Sequence, residues 1–436
     1  MNNYKVSAQV LVASIASIGS LLYGIGLGWS SPSGVKILNT EKNFEITSSQ
    51  FSWVVAMNSI GGCIGCLVTG LIRSNYGTKV SIFIFTIPSF SGWMLLAFAQ
   101  AWWMLIIEIR GVLLSFYEIT VKSGILFSYA IGSFTRQSIT NAICGGIVVL
   151  YAIAFLFMPE SPLYLMKQHK TEEAKKSLTY LRGRNYKMDD ELTRLHLEID
   201  ELERNTKPFW QEIRTKATRK AFVIVMSMFI FFQLCGINAI IFYTTTILIE
   251  SGITIDPFIA TCMLGVIQVI GVLCSTALVD HYGRKILLIA SNIIMIFGLL
   301  GVGIYFHLKE KTTVTSITWL PLVLFCIYFI GFSIGVGSVT YVLMGELISL
   351  NAKRVIGPMA QFSNFLMAFL IAIFFPKIAN YIGMHYAFYI FAAFCFIAII
   401  FIIVMLPETK GKSLVEIQNL LTNDRKCDTN NFKNRF

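Results

Sequence analysis

Charge is scarce in this chain of 436 residues. Asp, Glu, Lys and Arg together make up 14% of it, against about 25% in an ordinary soluble domain. That shortage excludes a soluble globular enzyme and an intrinsically disordered chain. Histidine is scarcer still, at five residues. Nine cysteines are scattered through apolar stretches, and only Cys63-Ile64-Gly65-Cys66 is spaced as a pair. With no second pair and no histidine nearby, a zinc site would lack two ligands, and a secreted disulfide scaffold is excluded too. Small residues packing helix on helix account for that tetrapeptide. No Asn-x-Ser/Thr acceptor occurs, and no small-residue cleavage site follows the apolar stretch from Lys5 to about Leu27. That stretch reads as a retained first span and not a signal peptide.

What is abundant is apolar. Hydrophobic residues reach 55% and mean hydropathy is +0.68, the signature of an all-α polytopic membrane protein. The net charge of +11 fits basic residues gathered in cytoplasmic loops. No basic stripe is interleaved with aromatics, so no nucleic-acid partner is expected; the bilayer is the partner. Runs of about 20 apolar residues predict spans at 9–29, 51–72, 80–99, 112–134, 139–158, 221–248, 257–279, 286–307, 319–344, 356–376 and 386–406, about eleven in all.

One segment is different. Residues 159–220 hold roughly two-fifths of all the charged residues. Leu192, Leu195, Ile199 and Leu202 recur there at helical spacing with charges between them, which predicts an amphipathic helix in a cytoplasmic subdomain. Arg214, Lys216, Arg219 and Lys220 precede the next span and hold that end inside. The chain therefore divides into an N-terminal bundle (1–158), a cytoplasmic helical loop (159–220), a C-terminal bundle (221–406) and a cytoplasmic tail (407–436).

The two bundles echo each other. Arg73-Ser74-Asn75-Tyr76-Gly77-Thr78-Lys79 and Asp280-His281-Tyr282-Gly283-Arg284-Lys285 share a Tyr-Gly-x-Lys turn between spans, as duplicated transporter halves do. These turns resemble the signature turn of the major facilitator superfamily. The second copy keeps Asp280, Gly283, Arg284 and Lys285, whereas the first has Ser74, Asn75 and Thr78 at the charged positions. The resemblance implies a charge clamp that holds the cytoplasmic side shut, weakened in the first copy. Pro159-Glu160-Ser161-Pro162-Leu163-Tyr164-Leu165, Pro407-Glu408-Thr409-Lys410-Gly411-Lys412 and Gln233-Leu234-Cys235-Gly236-Ile237-Asn238 through Tyr243 resemble, in order and over nearly the whole chain, the motifs of the sugar-porter family. Trp29-Ser30-Ser31-Pro32 is most similar to the insect facilitated trehalose carriers and related hexose carriers.

A sugar offers hydroxyls, and a midplane cavity answers them with neutral donors and acceptors, because amides cost less to desolvate than charges. Gln233 and Asn238 flank Gly236, which lets the helix bend. Phe232 stands where the family has another Gln. The resemblance also implies substrate contacts at Gln268, Tyr243, Tyr341 and Glu118, with Tyr341 in place of the family's Trp. It implies gating roles for Asp280, Arg284, Glu346, Lys353, Glu160, Glu408 and Arg110, with Glu346 and Lys353 as a gate pair. Interhelical hydrogen bonding is the plain alternative for the amides, and a surface ion pair for the gate. Glu118 and Lys122 are four apart on one helix face, and ionisable groups at membrane depth are costly. They read equally as a self-neutralising cavity pair or as the trace of a relaxed copy. The Tyr23-Gly24-Ile25-Gly26 segment lacks the Asp that proton-coupled members carry.

The family has twelve spans, and this chain has five before the loop. The Trp102-Trp103-Met104-Leu105-Ile106 start of span four abuts Glu108-Ile109-Arg110-Gly111, which belongs after it. The missing span falls near 106–109, and eight or nine residues cannot recross about 30 Å as helix. Five spans put the loop on the wrong side by the positive-inside rule, so the chain reads as a splice form, an erroneous gene model or a decayed copy. The expectation is a plasma-membrane carrier of major facilitator fold that moves trehalose or a hexose without proton coupling. No enzyme chemistry, metal or cofactor is expected. The alternative is a non-transporting sugar sensor or an inactive truncated variant.

Overall fold

The computed structural model describes residues 6–39, 46–97, 117–182, 191–193, 195–197, 213–311, 317–412 and 414–422. The span-four junction at Trp102–Gly111, with Arg110, lies outside these residues, as do Ile199 and Leu202.

Every predicted span falls on a helix. The first bundle contains α1 (Val6–Asn39), α2 (Ser48–Ala97), α3 (Tyr117–Phe134) and α4 (Gln137–Leu156). The second contains α7 (Lys216–Leu234), α8 (Ile237–Ser251), α9 (Pro257–Tyr282), α10 (Arg284–Lys311), α11 (Leu320–Phe332), α12 (Ser338–Leu347), α13 (Leu350–Tyr381) and α14 (Met384–Met405). Between them lie α5 (Pro162–Lys167) and α6 (Thr171–Arg182), and α15 (Leu414–Thr422) follows α14. Nine helices among the described residues are long and apolar enough to cross a membrane. Two predicted spans share α2, which breaks at Gly77 (φ 84°, ψ 178°). The predicted span 319–344 is split by a π-helical turn, Ser333–Gly337, which itself holds two glycines and a serine.

The bundles are related by the repeat seen in the sequence. Within the first, α1 packs on α3 and α2 on α4; within the second, α10 packs on α11 and α14. Three helix pairs join the bundles: α1 with α8, α2 with α13, and α3 with α9. The two helices that carry or lead into the signature turns, α2 and α9, thus each lie against a helix of the other bundle. The α1–α3 packing is tight, since a Cβ on Gly24 or Gly124 would strike the backbone of the opposite helix. The polar loop carries its own small core, in which Leu192 and Leu195 join Leu163, Leu165, Met166, Ala174 and Leu178. Arg182 pairs with Glu191 at 3.0 Å across it.

Candidate functional site

The helix break at Gly236 builds the centre of the molecule. The α7 helix ends at Leu234, Gly236 takes φ 86°, and α8 resumes at Ile237. A side chain at Gly236 would be strained by that φ and would meet the Phe391 ring. The break presents Gln233 and Asn238 from two helix ends, and both are buried.

Gln233 donates Nε2–H to Asn364 Oδ1 at 2.7 Å, and Asn364 donates weakly to Gln361 Oε1 at 3.4 Å. Gln233 Oε1 and Gln361 Nε2 then have no protein partner, and neither do Oε1 and Nε2 of fully buried Gln268. Gln268 sits on α9 between Gly265, which lies against Leu126 and Tyr129 of α3, and Gly271, which lies against Ser333. Ser333 Oγ is likewise buried and unpartnered. A buried amide without a hydrogen bond costs about 1–3 kcal/mol. Gln233, Gln361 and Gln268 thus keep buried amide atoms whose hydrogen-bonding capacity is unused among the described residues.

Aromatic rings wall this region. Phe232 meets Phe332 edge-on at 5.2 Å, and Tyr341 meets Phe229 and Phe232 edge-on at 5.3 Å and 5.9 Å. Phe232, which stands in place of an amide, therefore serves as wall. Lys122 is buried, and its Nζ lies 5.1 Å from the centroid of the Phe332 ring. Glu118 lies on α3 one turn earlier, and its side chain is outside the described residues. Tyr243 is buried beside the break. Its hydroxyl donates to the Ala372 carbonyl at 3.0 Å and its ring lies against Phe375, so it spends its donor on joining α8 to α13. Asn364 and Gln361 were missed in the sequence, although two amides three apart in an apolar span share a helix face. Phe365 beside them fills a notch at Gly62 and meets Tyr23 edge-on at 5.9 Å.

Hydroxyls bond near the other ends of these helices. Ser31 and Thr245 bond at 2.8 Å, Thr245 and Thr261 at 3.0 Å, and Ser30 donates to the Phe242 carbonyl at 3.3 Å. Tyr129 donates to the Ile241 carbonyl at 2.8 Å. All of these but the Thr245–Thr261 bond join the first bundle to the second.

The signature turns lie at the opposite ends of the helices. Glu160 accepts the backbone N–H of Thr78 at 3.1 Å and of Lys79 at 3.0 Å. Glu408 accepts those of Arg284 at 3.0 Å and Lys285 at 3.1 Å. Each carboxylate satisfies the otherwise orphaned N–H groups of a helix start and complements its dipole. The lysines repeat too: Lys79 Nζ donates to the carbonyls of Leu156 and Met158, and Lys285 Nζ to that of Ile403. Glu160 and Glu408 thus each clamp a turn through its backbone N–H groups. Arg284 also pairs through its side chain with Glu346, at 2.9 Å. Glu346 therefore pairs with Arg284 and not with Lys353, which is exposed with its Nζ beside Gly345. The extended Ile348 between α12 and α13 turns the chain between Glu346 and Lys353, whereas Arg284 starts the neighbouring α10. Asp280 lies in α9 and its side chain is outside the described residues.

Comparison with known proteins gives consistent matches. The family described as sugar (and other) transporter matches residues 12–108 and 107–421. The facilitated trehalose transporter Tret1 of Bombyx mori is 31% identical, over 95% of this chain and 87% of its own. That of Polypedilum vanderplanki is 31% identical, over 96% and 88%. These relatives are transporters and not enzymes. Among solved structures, the xylose transporter XylE from E. coli in an inward open conformation has a TM-score of 0.77 at 20% identity, covering 94% of this chain and 99% of its own. The major facilitator proton:xylose symporter XylE bound to 6-bromo-6-deoxy-D-glucose has a TM-score of 0.75 at 21% identity, covering 96% and 100%. The fold is the major facilitator fold.

Proposed function

The chain belongs to the sugar (and other) transporter family, and from that premise we propose that it carries trehalose or a hexose across the plasma membrane by facilitated diffusion. Sugar binds between the bundles, and the bundles rock about it to expose the site to each side in turn. The observation that carries this reading is the set of buried, unpartnered amide atoms on Gln233, Gln361 and Gln268. A sugar hydroxyl both donates and accepts, so it satisfies an orphaned carbonyl oxygen and an orphaned amide N–H equally. Asn238 and Tyr341 complete the contacts, the second by ring packing on a sugar face. Glu118 stays in this set by its place on α3. Tyr243 supports the site by tying α8 to α13. Glu160, Glu408, Arg284, Glu346, Asp280, Lys353 and Arg110 form the cytoplasmic gate.

We also propose that the first bundle lacks one span between residues 106 and 109. The family match falls into two segments that meet and overlap at residues 107–108. The alignment to the Bombyx relative runs over 441 positions, more than the 436 residues of the whole chain, while covering only 95% of it. Some of the relative therefore has no counterpart here. The repeat supports the same reading: Glu346 stands after the π-helical turn, in span ten, whose counterpart is span four. Thr78, at the position of Arg284, has no base to offer such a partner.

The test is uptake of radiolabelled trehalose and glucose by proteoliposomes carrying the purified full chain. Saturable uptake that stops at the outside concentration is the expected result. Absence of both binding and uptake for both sugars would overturn the reading.

A further inference from the structure

We propose that Trp29, Ser30 and Asn58 form a second sugar subsite, which takes the second ring of a disaccharide and makes the carrier prefer two-ring to one-ring sugars. This rests on the sugar-site reading above and deepens it. A void of about 10 Å³ lies between the bundles, against Gly26, Trp29 and Ser30 of α1, Asn58 of α2 and Phe242 of α8. Each of these helices places it one turn from the amide layer. Phe242 follows Asn238 by four residues, Gly26 follows Tyr23 by three, and Asn58 precedes Gly62 by four. Tyr23 and Gly62 both meet Phe365, the neighbour of Asn364. One helical turn is about 5.4 Å, the scale of a single sugar ring.

The void as it stands has room for about one water. A ring enters when the bundles part, and the lining is divided to suit that step. Gly26, Trp29, Ser30 and Asn58 belong to the first bundle and Phe242 to the second. The indole is fixed from within the first bundle. Its Nε1–H donates to Asn141 Oδ1 at 2.7 Å, and Asn141 Nδ2 donates to the Leu96 carbonyl at 2.8 Å. The ring therefore stays in place as a platform when Phe242 withdraws. Ser30 loses its bond to the Phe242 carbonyl in the same movement, which frees its hydroxyl. A fixed aromatic face, a freed hydroxyl and an amide are the groups that receive a sugar ring. Apart from Glu118, the described residues assigned to the site all lie in the second bundle. A two-ring sugar is gripped by both bundles, and only contacts that differ between the states shift their balance.

The experiment compares binding of radiolabelled trehalose and D-glucose to the purified full chain in detergent by equilibrium dialysis. Binding is used so that the outcome does not depend on transport. The wild type is expected to bind trehalose about tenfold more tightly than glucose, a difference of about 1.4 kcal/mol. Asn58→Leu is expected to lower the ratio of the two affinities most of the way to one. Trp29→Phe, which keeps a ring but not the indole, is expected to lower it part of the way, and it decides the matter if Asn58→Leu does not fold. Glucose binding with no preference for trehalose, or a preference unchanged in these variants, overturns the second subsite and leaves the sugar site standing. An equal loss of both sugars in Asn58→Leu also overturns it, because a purely structural role would do the same. Failure of both sugars to bind the wild type overturns the sugar site as well.

Discussion

Ser31 and Thr245 bond hydroxyl to hydroxyl at 2.8 Å from opposite bundles, and the Thr245 backbone N–H donates to the same Ser31 oxygen at 2.9 Å. Thr245→Val keeps the shape and removes the hydroxyl, which leaves Ser31 and Thr261 short of a partner. A buried hydrogen bond of this kind contributes about 1 kcal/mol, so the closed end should open about fivefold more often. The measurement is the rate at which a membrane-impermeant maleimide labels a Ser30→Cys probe, with and without Thr245→Val. Equal rates would mean that this contact does not hold the end shut.

Glu408 holds four backbone N–H groups, those of Arg284, Lys285, Thr409 and Lys410. Glu408→Gln keeps one acceptor oxygen and loses the charge, as Glu160→Gln does in the first bundle. Hydrogen bonds to a charged acceptor contribute about 1.5–3 kcal/mol, so each substitution should lower the melting temperature of the purified protein. Unchanged melting in both variants would show that neither carboxylate matters to the turn.

Gln268 has two buried polar atoms without a protein partner. Gln268→Leu removes that penalty, so the empty protein should melt higher, by an amount reflecting about 1–3 kcal/mol. The same variant should bind sugar more weakly. Gln233→Ala and Asn238→Ala should each cut sugar flux without reducing surface abundance. Unchanged flux in both would remove the break at Gly236 from the site.

Gly236→Ala places a Cβ at φ 86° and against the Phe391 ring. The expected cost is about 1–3 kcal/mol, visible as a lower melting temperature. The α7–α8 geometry that presents Gln233 and Asn238 should loosen with it, and sugar affinity should fall as well.

Uptake should stop at the outside sugar concentration and ignore a protonophore, because the first span carries no carboxylate where coupled carriers have one. Accumulation that collapses when the proton gradient is dissipated would replace facilitated diffusion with symport. Sequencing the native transcript across the codons for Trp102 to Gly111 checks the missing span separately. An inserted apolar stretch of about 20 residues in the message would restore twelve spans.

Much of the architecture was legible before the structure. Hydrocarbon about 30 Å thick demands a long apolar run for every crossing, and such runs stand out from any local noise. The break at Gly236 and the paired turns at Gly77 and Gly283 were legible for a similar reason, since each rests on a glycine that a local conformation requires. The partners of side chains were not. The family resemblance pairs Glu346 with Lys353, yet Arg284 is its ion-pair partner in space. Tyr243 reads as a sugar contact from its motif, and its hydroxyl binds the Ala372 carbonyl.

The sequence by itself determined the membrane class, the helical spans, the duplicated halves and the neutral amides that flank Gly236. Hydropathy and repeated motifs are properties of the chain, and they survive any arrangement of its helices. Only the tertiary structure decided which amides remain without partners, that Asn364 and Gln361 stand beside Gln233, and that Lys122 reaches across to Phe332. Those outcomes depend on how α3, α7, α9, α11 and α13 pack together. Hydrogen bonds between side chains more than a hundred residues apart, such as Gln233 with Asn364, are set by that packing and by nothing local to either residue.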